Sequence, residues 1–142
     1  MGGETDLRRL LGEMKPILGE GEYVYCAVDG GVAPWLALDP IGTFREAEGL
    51  TLILERSSAD AAGLSYGPVL RLITLSVHSA LEAVGLTASV SAALTRANIS
   101  ANVVAAYYHD HIFVPAADAE RALEVLRALS RGDNGGVNCP LP

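Results

Sequence analysis

Between Leu86 and Ala97 the chain carries its most constraining pattern. Leu86, Val90, Ala93, Leu94 and Ala97 recur at i, i+4, i+7, i+8 and i+11, with Ser, Thr and Arg opposite. That spacing predicts a helix with one buried stripe, which needs a sheet or a second helix to cover it. Such partners lie on both sides. Upstream, Val69 to Val77 reads as a strand apolar on both faces apart from Arg71, which places it inside a sheet. Downstream, Ala101 to Tyr108 and Ile112 to Val114 read as strands joined across His109-Asp110-His111, a connection short enough to require an antiparallel turn. Pro115 then opens a helix to about Ser130, with Ala119, Ala122, Leu123, Leu126 and Leu129 inward. Strand, helix, two hairpin strands and helix, in that order, make a split βαβ or ferredoxin-like unit lacking its final strand.

The first half is less regular. Residues 6 to 14 predict a short helix capped by Asp6 and stopped by Pro16 and Gly19, and Tyr23 to Val28 predicts a strand ending at Asp29-Gly30-Gly31. Thr43-Phe44-Arg45-Glu46 has the spacing of a capping box and predicts one helical turn closed by Gly49. Leu50 to Leu54 predicts a strand, Ser57 or Ser58 starts a short helix that Gly63 ends, and Trp35 to Leu38 is a sixth, weaker strand. The run LTLILERSSADAAGL parallels HIFVPAADAERAL, an internal echo that suggests a second unit of the same kind. Six strands are too few for two complete units, so one or both are expected to be trimmed or to share a strand.

Composition narrows the function. Half of the residues are hydrophobic and only two are cysteine, which excludes a disordered chain and a disulfide scaffold. Cys26 and Cys139 are expected to be unpaired thiols. A net charge of −7 argues against nucleic acid or an anionic membrane as partner. The longest stretches without Asp, Glu, Lys or Arg are 13 residues, Ala83 to Thr95 and Ala97 to His109. Both fall short of the roughly 20 needed to cross a bilayer. The N-terminal residues lack the apolar core of a signal peptide, and Asp6 stands where a myristoylation signal needs Ser or Thr. A cytoplasmic protein is expected.

Asp39 to Glu55, Arg71 to Ala88 and Ile99 to Pro115 resemble, in order, the signature blocks of small bacterial tandem ACT-like proteins. The resemblance implies an α+β chain of two ferredoxin-like ACT modules with antiparallel sheets side by side. We place these at residues 1–67 and 68–131, followed by a flexible tail at 132–142. It also implies a small amino-acid-like effector held where modules meet, and a homodimer as the working form. Under that reading the strand-to-helix junction Val84, Gly85 and Leu86 offers free N–H groups to a carboxylate. Ile99, Ser100 and Asn102 offer carbonyls, a hydroxyl and an amide to an amino group, and His78 closes the loop beside them. Phe44 and Arg45 are the matching feature of the first half, with Arg45 able to pair a carboxylate. Each has a plainer explanation: Gly85 as a helix cap, residues 99–102 as a polar turn, and Arg45 as a surface arginine.

Catalysis, metal and cofactor have little support. No nucleophile elbow, Walker loop or dinucleotide fingerprint occurs, and the carboxylates sit at helix starts and turns. His109 and His111 lack a third ligand cluster. No catalytic residue, metal or cofactor is therefore assigned, and an enzyme is not expected. The competing function is an interaction protein that dimerises through the same surfaces without a ligand.

Overall fold

The computed structural model describes residues 3–76 and 84–132. Along the chain run α1 (Gly3–Glu13), β1 (Pro16–Val28), a 3-10 helix (Ala33–Leu38), β2 (Gly42–Glu46), β3 (Gly49–Glu55), α2 (Arg56–Ala61) and β4 (Leu70–Leu75). Then follow α3 (Val84–Arg96), β5 (Asn102–Ala105), β6 (Asp110–Pro115), a 3-10 turn (Ala116–Asp118) and α4 (Ala119–Ser130). Hydrogen bonding orders the strands β2-β3-β1-β4-β6-β5. The chain is α+β and contains two compact units that interleave in sequence. One comprises Glu20–Arg71, and the other the residues up to Gly19 together with those from Leu72 on.

In the unit built around α3, the helical stripe is buried as its period requires. Leu86, Val90 and Leu94 are at most 1% exposed and join Ile73 and Leu75 of β4, Ile112 and Val114 of β6, and Ala119, Ala122 and Leu126 of α4 in one core. Helix α1 belongs to the same unit, where it contacts α3 and α4, and the buried Met14 beyond its end enters the core. Asn98 ends α3 in the left-handed region at φ 61°, a conformation asparagine tolerates.

In the other unit, β3 pairs antiparallel with β1 on one side and β2 on the other, with Cys26 opposite Leu52 and Arg45 opposite Leu50. Val24, Cys26, Leu50, Leu52, Leu54 and Ala59 form its core, against which Val32, Trp35 and Leu38 pack. The Cys26 thiol is free, and burial raises its pKa.

Several local expectations are corrected. Thr43–Glu46 is strand, not a capped helical turn: the segment pairs along its length with β3, and Thr and Phe suit a pleated edge. Trp35–Leu38 is 3-10 helix, not strand; Pro34 at its start supplies the φ that helical turn needs. Helix α1 stops at Glu13, ahead of Pro16 as expected, but the strand expected from Tyr23 already starts at Pro16. Pro16 is the first residue of β1, where a missing N–H is tolerated, and a side chain at Gly19 would lie 3.6 Å from the Leu72 carbonyl oxygen. The β5–β6 turn falls at residues 106–109, because Ala105 pairs with Asp110. Tyr107 and Tyr108 therefore leave the strand for the turn, 88% and 65% exposed, with their rings edge to face at 4.9 Å. The opposite facings that a strand would have given them do not arise.

Candidate ligand-binding site

The proposed site residues fall in three places. His78 lies outside the described residues. Val84 and Gly85 open α3, and a Cβ on Gly85 would stand 2.8 Å from Leu7 Cδ2, so the space over this glycine is taken by α1. Leu86 turns into the core, as does Ile99 at 4% exposure. Ser100 and Asn102 are exposed, and Asn102 begins β5 opposite Phe113. Ile99 to Asn102 follow the far end of a 13-residue helix. At 1.5 Å per residue the two groups are about 20 Å apart, so within this unit they do not line one site.

Phe44 and Arg45 sit on β2 in the other unit, beside a cleft of about 400 Å3 lined by Gly31, Val32, Thr43, Phe44, Arg45 and Leu50. The register explains the geometry. Arg45 pairs with the buried Leu50 and so leaves the sheet on the same face, at its edge, whereas Phe44 leaves on the other and stays 69% exposed. Gly30, at φ 83°, turns the chain out of β1, and a Cβ on Gly31 would meet nothing within 4 Å, leaving this backbone open to a visitor. The neighbouring Glu46 carboxylate is occupied, accepting the Thr51 hydroxyl at 2.6 Å. The Arg45 guanidinium, by contrast, has neither hydrogen bond nor ion pair among the described residues. A cation without a partner, an open glycine backbone and the apolar Val32 and Leu50 together suit a small ligand bearing a carboxylate and an apolar group.

The cleft brings Phe44 and Arg45, named from the sequence, together with Gly31, Val32, Thr43 and Leu50, which the sequence reading did not name as site residues. A signal existed: Asp29-Gly30-Gly31 before a helical turn is the same strand-to-helix junction singled out at Val84–Leu86.

A second hollow of the same unit is a satisfied ionic network. Arg56 donates to Glu22 at 3.1 Å and to the Tyr66 hydroxyl at 3.2 Å, and that hydroxyl donates to Asp60 at 2.8 Å. In the other unit, Thr74 Oγ1 lies 2.9 Å from His111 Nδ1. Burial lowers the His111 pKa, helped by His109 and opposed by Asp110. His111 is thus a strand residue of β6, not part of the turn. Among the described residues no three His, Cys, Asp or Glu side chains cluster as metal ligands would, and no helix is long and apolar enough to cross a membrane.

Comparison with known families matches an ACT domain over residues 2–71 and another over residues 69–128. The chain belongs to the ACT domain family. A Vibrio cholerae protein of unknown function, described as a possible transport protein, is 50% identical with a TM-score of 0.85, over 91% of this chain and 99% of that one. An Agrobacterium tumefaciens protein shares the fold at 19% identity and TM-score 0.69, over 82% and 89% of the two chains. So does the regulatory subunit of aspartate kinase from Thermus thermophilus, at 11% identity and TM-score 0.63, over 80% and 95%. No curated protein matches the sequence.

Proposed function

We propose that this chain is a regulatory module of the cytoplasm, a homodimer that binds a small amino-acid-like effector. The unpartnered Arg45 over the Gly31–Leu50 cleft carries the reading. Arg45 takes the effector's carboxylate, the backbone at Gly31 approaches its polar end, and Val32 and Leu50 receive its apolar part. Binding acts by favouring one packing arrangement over another, which requires different affinities for the two. A second reading, an interaction protein without a ligand, draws on Ile41 and Phe44, 51% and 69% exposed at the edge strand β2.

A thermal-shift screen of the common amino acids tests the proposal. A ligand at a hundred times its dissociation constant adds about 2.7 kcal/mol to stability. The effector raises the melting temperature of the wild type and not of Arg45→Ala. If none of the amino acids does so, the effector reading fails and the interaction reading stands.

A further inference from the structure

The geometry points to a second binding site, for a compact anion of the phosphate class, between the ends of α1 and α4. A hollow of about 330 Å3 there is lined by Met14, Lys15, Pro16, Arg127, Ser130 and Arg131. Three of the ten basic residues of a chain with net charge −7 line it.

The frame that carries them is tied down from several sides. Met14 is 1% exposed, its N–H donates to the Leu10 carbonyl at 3.0 Å, and its own carbonyl accepts the Ser130 hydroxyl at 2.7 Å. The Lys15 carbonyl accepts the Ser76 N–H at 3.3 Å. The end of α1 is thereby pinned to the end of α4, and the cations are presented from a preorganised backbone. The Lys15 ammonium has no partner among the described residues. Arg127 meets Glu124 only at 3.4 Å, between side chains 51% and 67% exposed, a screened pair that a stronger anion displaces. The Ser130 proton is committed to Met14, so recognition falls to the cations. Guanidinium groups take phosphoryl oxygens in a fork, and the ammonium adds a point charge, which together suit a group with several oxygens and more than one negative charge. A long polyanion is disfavoured because the rest of the chain is acidic.

Cations at helix carboxyl ends also serve simply to offset the helix dipole, and in that case no anion binds. Titration of the full-length, isotope-labelled protein with inorganic pyrophosphate at low ionic strength, followed by amide NMR, separates the two. The site predicts saturable shifts centred on the Lys15, Ser130 and Arg131 amides while the Arg45 amide stays still, which keeps this result independent of the effector cleft. Lys15→Gln with Arg127→Gln lowers the affinity by about tenfold or more. No saturable shift at those amides, or unchanged affinity in the double variant, overturns the proposal.

Discussion

Gly85 and Leu7 are in packing contact: a Cβ on the glycine would stand 2.8 Å from Leu7 Cδ2 and 3.3 Å from Cδ1. The bare glycine therefore admits α1 to the start of α3. The contact is with the flexible end of a side chain, so a single methyl is accommodated, whereas a large residue pushes α1 away. Gly85→Leu is expected to cost about 1–3 kcal/mol in urea unfolding. Adding Leu7→Ala should cost less than the sum of the two single changes, because it removes the clash. Strict additivity would mean that the two residues do not meet.

Gly49 closes the β2–β3 hairpin at φ 155°, and a Cβ there would lie 2.9 Å from the Val28 carbonyl oxygen. Here the obstacle is backbone, which cannot swing aside. Gly49→Ala should destabilise by about 1–3 kcal/mol, measured by chemical denaturation.

Arg45 separates binding from folding. Its exposed guanidinium touches no partner among the described residues, so Arg45→Ala should leave the ligand-free stability within about 0.5 kcal/mol of wild type by urea melts. A large loss without ligand would make Arg45 structural instead.

His111 carries a pH dependence. Burial lowers its pKa in the folded state, so as pH falls the unfolded chain takes up the proton first. Its contribution is complete above the ordinary histidine value near 6.5 and is lost as pH falls through the depressed folded value. The Thr74 hydroxyl at 2.9 Å can donate to or accept from Nδ1, so desolvation, not loss of that bond, sets the sign. Urea midpoints measured from about pH 7 down to about pH 5 should fall less steeply in His111→Asn than in wild type.

Where burial followed a local period, the sequence was readable. The stripe Leu86, Val90, Ala93, Leu94 lies in the core, and so do Ala119, Ala122, Leu123 and Leu126 of α4. The segment Thr43–Glu46 was misread because Thr-x-x-Glu fits a helix cap as well as an edge strand, and only pairing with β3 decides between them. Tyr107 and Tyr108 were misplaced because the apolar run Ala101–Tyr108 does not reveal where the hairpin turns; that is set by register with β6.

From the sequence alone follow the alternation of strands and helices, the faces they bury and, with the resemblance of three blocks, the ACT family. Those properties are written in neighbours a few residues apart, because burial on one face imposes a repeat of two or 3.6 residues. What the tertiary structure decided lies between residues far apart in the chain: Leu7 over Gly85, Gly31 beside Arg45, and Lys15 beside Arg127. No local period encodes such pairs. They arise when each core closes: in one unit closure seats Leu7 over Gly85 and leaves the Lys15 hollow open, and in the other it leaves the Arg45 cleft open.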